Sequence, residues 1–353
     1  MEIYINARFL TQKTTGVQRF AIEVSKQLKL LLPGLKFVSP KNIIQKELAD
    51  YFNVETFGSF TSHLWEQVEL PIFLKNNNSP LLINFGNTAP LAYKNQLVSI
   101  HDLSFIINPK WFSKPFALFY NFVIPRIAKR SLRVITMSEN SKKDIIEIIG
   151  INENKIDVLY CDVPAEFRAN NNPKTPNIYG DYILAVSSLD PRKNFGRLIE
   201  AFNKLNLPNI KLVIVGSVNK VFSDVNIKKL IQDNQLITFT GYVDQEELPG
   251  LYKNAKLFIY PSLYEGFGIP PLEAMICGCP TIVANVASLP EVCGDASYYV
   301  DPYSIDDISH GMKELTSNEN LRQELIVKGY ERVSHFNWES SGKQLVNIIE
   351  NIK

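Results

Sequence analysis

An apolar run ends at Pro261, and the residues after it have types suited to holding a diphosphate: Ser262-Leu263-Tyr264-Glu265-Gly266-Phe267-Gly268-Ile269-Pro270-Pro271-Leu272-Glu273-Ala274. Gly266 and Gly268 let the backbone, including the Phe267 amide between them, approach phosphate oxygens with no Cβ in the way. Pro271 is well placed to open a helix whose N-terminus favours an anion. Two carboxylates bracket this loop. Glu265 lies on it, near where a sugar attached to the diphosphate would sit. Glu273 is expected in the first helical turn, within reach of ribose hydroxyls. Taken alone, the same string also reads as a tight turn followed by an acid that complements the helix dipole. A dinucleotide-binding G-x-G-x-x-G would need glycine where Pro271 stands.

Three further clusters sit at comparable places. Arg192 and Lys193 follow the run Val186-Ser187-Ser188-Leu189-Asp190-Pro191, a basic pair that alone would read as a solvated loop. Gly16, in Thr14-Thr15-Gly16-Val17-Gln18-Arg19, makes a glycine turn that opens a helix. His101-Asp102 follows another apolar run, whereas His63, His310 and His335 have no such context and read as structural. Cys161, Cys277, Cys279 and Cys293 lack zinc-site spacing and read as buried, inert thiols.

The elements that must position these residues alternate along the chain, as in a mostly parallel α/β protein. Strands are expected at 3–5, 81–84, 97–100, 134–137 and 156–159, then at 182–186, 211–215, 237–240, 257–260 and 281–284. Helices are expected at 17–31, 139–149, 198–205, 245–254 and 271–277. The polar, proline-punctuated stretch 169–177 reads as a linker. The expected organisation is therefore a first domain over 1–168, a second over 169–337, and a terminal helix over 338–353 with apolar residues at helical spacing. Two parallel-sheet lobes would turn their carboxyl strand ends, and so their ligand loops, toward a shared cleft.

A chain of 353 residues suits two such cores. Its 45% apolar and 21% charged composition is that of an average globular protein, and its net charge of +1 gives no global attraction for nucleic acid. The first residues read as an immediate strand rather than a secretion signal. The most apolar segment, 115–124, falls short of the ~18–20 residues that span a bilayer. A cytoplasmic protein is expected, with one local exception to its neutrality. From Leu103 to Ser138 there is no acid, while Lys110, Lys114, Arg126, Lys129, Arg130 and Arg133 interleave with Trp111, Phe112, Phe116, Phe119, Tyr120 and Phe122. That stretch suits an anionic membrane surface over 110–133, on the inner face of the plasma membrane, or else a helix burying its aromatics with a solvated basic face.

The string Glu-Gly-Phe-Gly-x-Pro-x-Leu-Glu resembles the E-x7-E motif of family 4 retaining glycosyltransferases, and the resemblance covers essentially the whole chain, most strongly residues 182–301. It implies the GT-B fold, two Rossmann-like domains facing across a cleft, the first (1–168) for the acceptor and the second (169–337) for the nucleotide-sugar donor, with the C-terminal helix (338–353) packing on the first. It implies Arg192 and Lys193 as cations on the donor diphosphate, joined by Gly16 and the 266–268 loop, with Glu273 on the ribose and His101 and Glu265 beside the donor sugar. Where many relatives carry Gly-Arg this chain has Ser187-Ser188. A base pocket is expected near Tyr242 and Val243. No D-x-D occurs, so no metal is implied and no cofactor beyond the co-substrate. The expected reaction moves a hexose from a nucleoside-diphosphate sugar to a glycan or polyprenyl-linked acceptor in capsule or O-antigen synthesis. GDP-mannose is favoured, with dTDP-rhamnose or a UDP-hexose as alternatives. A nucleotide-sugar epimerase of the same fold and a non-catalytic nucleotide-sugar-binding module are the competing readings.

Overall fold

Runs such as Leu81-Leu82-Ile83 and Ile183-Leu184-Ala185 are apolar at every position, which suits strands covered on both faces rather than on one. In the computed structural model they form the buried centres of two parallel sheets. The structure describes residues 2–169, 176–188, 190–205, 207, 209–216 and 234–352. Most of the expected linker, and Leu189, lie outside the described residues.

The chain divides into two compact units, Met1–Cys161 with Asn337–Lys353, and Asp162–Phe336. In the first, β1 (Ile3–Asn6), β2 (Lys36–Ser39), β3 (Glu55–Thr56), β4 (Leu81–Asn84), β5 (Gln96–Ser99), β6 (Arg133–Thr136) and β7 (Ile156–Val158) form a sheet of order β3-β2-β1-β4-β5-β6-β7. In the second, β8 (Tyr182–Val186), β9 (Lys211–Val215), β10 (Ile237–Gly241), β11 (Leu257–Tyr260), β12 (Thr281–Ala284) and β13 (Ser297–Val300) are ordered β10-β9-β8-β11-β12-β13. Every pairing is parallel. The winding reverses between β1 and β4 in one sheet and between β8 and β11 in the other. Beyond the carboxyl ends of those pairs lie the crevices where open α/β sheets hold ligands.

The unit boundary falls at Cys161/Asp162, earlier than the sequence places it, and the side chains explain why. Arg168 pairs with Asp162 at 2.6 Å and donates to the Phe336 carbonyl at 3.0 Å, tying this segment to the end of helix Glu319–Ser334. Helix Trp338–Glu350 packs against helix Gly16–Leu31. There the absence of a side chain at Gly342 permits close approach, since a Cβ would sit 2.6 Å from the Cβ of Gln27. Phe20 meets Trp338 in the same seam, and the Ser341 hydroxyl donates to the Tyr160 carbonyl at 2.8 Å.

Candidate functional site in the second unit, and a polar cluster in the first

The β8/β11 crevice collects the second unit's charges. Asp190 ends the loop after β8 and its carboxylate accepts from the Arg192 amide at 2.9 Å, opening a one-turn 3-10 helix, Pro191–Lys193. Asn194 closes that turn at φ 61°, a left-handed conformation that asparagine tolerates. Its side-chain amide donates to the carbonyls of Pro261 and Pro302, at 3.0 and 2.7 Å. The Leu263 amide donates to the Arg192 carbonyl at 2.8 Å, so the cation-bearing turn and the glycine loop are stitched together.

Between them, Glu265 accepts from Lys193 Nζ through Oε1 at 2.5 Å and from Arg192 Nη1 through Oε2 at 3.0 Å. Lys193 also donates to the Tyr260 hydroxyl at 2.9 Å. Lys193 and Glu265 are buried. Burial alone would push the Glu265 carboxyl up, but Arg192 and Lys193 outweigh it and hold it at about 2. Burial and Arg192 pull the Lys193 ammonium down while Glu265 pulls it back up. The result is a carboxylate held ionised at neutral pH between two cations, with both of its oxygens engaged.

The rest of the loop is fixed from beneath. The Ser288 hydroxyl lies 2.9 Å from the Glu265 carbonyl and 2.8 Å from the Phe267 carbonyl. Phe267 is buried edge-on against Phe336. Gly268, at φ 107°, is the N-cap of helix Ile269–Ile276. That helix begins before Pro271, so Glu273 stands beyond the first turn, a correction to the sequence reading: a left-handed glycine stops the loop, and both prolines fit inside the opening turn. Glu273 is buried and its Oε2 accepts from the Tyr252 hydroxyl at 3.0 Å. Burial, then Glu273, raise the Tyr252 hydroxyl well above its ordinary value, so it stays protonated and donating. Tyr242 is 78% exposed and Val243 is half-buried after β10.

The other expected residues belong to the first unit. Gly16 begins helix Gly16–Leu31, where the Gln18 side-chain oxygen accepts from the Thr15 amide at 3.1 Å. His101, after β5, is buried with its ring edge-on to Phe20. Its Nε2 donates to the Phe85 carbonyl at 2.9 Å, which leaves Nδ1 as the accepting nitrogen. Burial lowers its pKa against the pull of Phe85 and Asp102, so the ring is neutral at pH 7.

Sequence reasoning missed a polar cluster at the β1/β4 ends. Arg8 Nε lies 3.2 Å from Glu66 Oε1, and Arg8 Nη2 donates to the Thr88 hydroxyl at 2.7 Å. The Asn6 amide is 3.0 Å from both Glu66 Oε1 and Asn84 Oδ1. His63 Nδ1 stands 3.4 Å from Glu66 Oε2, so His63 is part of this cluster. Burial would raise the Glu66 carboxyl, but Arg8 and then His63 bring it to about 2. The only sequence signal was a polar, charged end to the first strand. Among the described residues no three His, Cys, Asp or Glu side chains gather as a metal site. The thiols of Cys277 and Cys293 are pushed up by burial to about 12 and are inert as nucleophiles.

Residues 163–332 match the family model "Glycosyl transferases group 1". The chain is 28% identical over 269 residues to the O-antigen chain mannosyltransferase B of Escherichia coli, covering 73% of this chain and 71% of that one. It is 28% identical over 322 residues to the O-antigen chain mannosyltransferase RfbU of Salmonella typhimurium, covering 84% and 86%. In fold it is similar to the Anabaena protein Alr3699/HepE, solved in complex with UDP and glucose, with a TM-score of 0.73 at 16% identity over 99% of this chain and 100% of that one. The doubly wound parallel sheets are those of the GT-B architecture. With that domain matched on the unit that gathers Arg192, Lys193 and Glu265, and O-antigen enzymes among its homologues, the chain carries a group 1 glycosyl transferase domain and is a glycosyltransferase.

Proposed function

We propose that this glycosyltransferase moves a hexose, foremost mannose from GDP-mannose, onto a hydroxyl of a growing glycan or lipid-linked oligosaccharide, with retention and without a metal or other cofactor. The observation that carries the reading is the Arg192–Lys193–Glu265 cluster at the β8/β11 crevice, with the glycine loop stitched to it. A leaving nucleoside diphosphate brings negative charge that Arg192, Lys193 and the amides of 266–268 are suited to meet. Glu273, steadied by Tyr252, is suited to ribose hydroxyls, with Tyr242 and Val243 near the base.

Glu265 is a poor nucleophile in this setting, because both of its oxygens are held by cations. The reading is a front-face displacement. The bond from the anomeric carbon to the donor phosphate oxygen breaks, and the bond to the acceptor oxygen forms on the same face. The departing phosphate oxygen takes the acceptor's proton. Glu265 stabilises the positive charge that develops on the sugar, and neutral His101 accepts from a sugar hydroxyl through Nδ1. The mannosyltransferase relatives support glycosyl transfer in polysaccharide synthesis over epimerisation.

Membrane contact belongs to the same proposal. No helix among the described residues is long and apolar enough to cross a bilayer. Helix Lys114–Arg130 leaves Leu118 72% and Phe122 52% exposed, with the Arg126 guanidinium 3.6 Å above the Phe122 ring. That surface suits the headgroup region of an anionic bilayer. The test of the donor is a thermal-shift panel of GDP-, UDP-, dTDP- and ADP-sugars, followed by product analysis with the stabilising donor. Selective stabilisation by GDP-mannose and an α-linked mannosyl product are expected; no stabilisation by any of the four would refute the donor assignment.

A further inference from the structure

A row of aromatic side chains runs along β11 and into helix Leu248–Asn254. Phe258 and Tyr260 share one face of the strand, with ring centroids 5.9 Å apart and planes inclined at 24°. Tyr252 meets Phe258 edge-on at 5.2 Å. The two phenols of this row end at different partners. Tyr252 donates to Glu273, while the Tyr260 hydroxyl accepts from Lys193 Nζ at 2.9 Å.

Tyr260 is 4% exposed. If its ring only filled space, phenylalanine would pack the same volume with no polar group to desolvate. The Lys193 ammonium is 2.9 Å from the hydroxyl but 5.2 Å from the ring centroid, so the oxygen and not the ring face makes the contact. A lysine as deeply buried as Lys193 keeps its charge only where acceptors meet its N–H groups. Of its three N–H donors one goes to Glu265 and one to Tyr260, and the third has no partner among the described residues.

The phenol differs in kind from the carboxylates around this lysine. Burial, then Arg192, pull the Lys193 ammonium down, and Glu265 and Asp190 pull it back up. Burial, then Glu265, raise the Tyr260 hydroxyl well above its ordinary value against the opposing pull of Arg192, so it stays uncharged. An uncharged acceptor orients the ammonium without cancelling its charge, as a carboxylate at the same place would. We propose that Tyr260 is a positioning residue for the transfer: its hydroxyl and Glu265 hold two N–H groups of Lys193, and the third is left for the donor diphosphate. The inference rests on the reading of Lys193 as a cation on that diphosphate and deepens it by naming what aims the cation.

Tyr260→Phe keeps the ring and its stacking and removes only the oxygen. Lys193 is followed in the full chain by NMR of lysine labelled with carbon-13 at the ε position, its signal identified as the one lost in Lys193→Arg. Losing an acceptor disfavours the charged form, so the Lys193 pKa is expected to fall by about one pH unit, the worth of a hydrogen bond to a charged group. Tyr252→Phe removes the other buried hydroxyl of the row and is expected to leave that pKa in place. Binding of GDP and of inorganic pyrophosphate is measured by calorimetry across the same pH range. In Tyr260→Phe the alkaline loss of affinity for both is expected to begin at a pH lower by the same amount. A Lys193 pKa within about 0.3 unit of wild type in Tyr260→Phe, or an equal fall in Tyr252→Phe, overturns the inference. So does a lowered pKa with an unmoved alkaline limb for pyrophosphate. Wild type that binds pyrophosphate but not GDP refutes the guanine assignment alone. Wild type that binds neither refutes the diphosphate reading of Lys193, and the pKa comparison still decides whether Tyr260 holds it.

Discussion

Replacing Glu265 by Gln keeps the side chain's shape and removes the charge that both Arg192 and Lys193 face. At about 1.36 kcal/mol per pH unit, a carboxyl held at about 2 instead of 4.5 corresponds to about 3 kcal/mol of stability, within the range for breaking a buried pair. The sign follows from the depressed value. The contribution is fully present above the unfolded value of 4.5 and is lost as pH falls toward 2. Urea unfolding of both proteins at pH 7 is expected to show the variant less stable by about 3 kcal/mol in the second unit's transition, the gap closing between pH 4.5 and pH 2. Glu66 is held at about 2 in both proteins, so its own acid sensitivity cancels in the difference. GDP should then raise the variant's melting temperature more than the wild type's, because phosphate oxygens replace the missing carboxylate beside the two cations. A variant within about 1 kcal/mol of wild type at pH 7, or a gap that does not close in acid, refutes the electrostatic account of the site.

Two other substitutions probe its supports. Tyr252→Phe removes the hydroxyl that donates to Glu273; GDP affinity should fall about five-fold by calorimetry, the worth of roughly one hydrogen bond, with kcat at saturating donor unchanged. An unaltered GDP dissociation constant would detach Glu273 from nucleotide binding. Gly268→Ala places a Cβ at φ 107° and 2.7 Å from Leu289 Cδ2, and should cost about 2–3 kcal/mol of stability. Gly16→Ala meets nothing within 4 Å and should stay within about 0.5 kcal/mol. Equal melting temperatures for these two alanine variants would show that the loop does not need its left-handed turn.

Both sheets were legible because the centres of their central strands are apolar at every position, as at Leu81-Leu82-Ile83 and Ile183-Leu184-Ala185. The sequence reading missed β2, β3 and β13. Lys36-Phe37-Val38-Ser39 and Ser297-Tyr298-Tyr299-Val300 are short and mixed with polar residues, and β3 has two residues, both exposed. Helices Ile305–Ser317 and Glu319–Ser334 were missed too, the second because its heavily charged surface obscures the apolar stripe of Leu325 and Val333. Arg192, Lys193 and Glu265 could be picked out because each sits in a short string of unusual composition at a strand end. That Glu265 would lie between the two cations was not visible, since the pairing spans the gap from β8 to β11. Arg8 and Glu66 left almost no trace for a related reason. A charge destined for the interior looks in sequence like any surface charge, and only the fold brings these two together.

The seam between Gly342 and Gln27 also bears on how the chain comes off the ribosome. The second unit is one unbroken stretch, Asp162–Phe336, whereas the first needs helix Trp338–Glu350 against helix Gly16–Leu31. The part synthesised first is therefore the part completed last. Throughout translation of the second unit, the apolar face of helix Gly16–Leu31 that helix Trp338–Glu350 later covers, with Trp338 on Phe20, waits without its partner, and chaperone demand should concentrate in that interval.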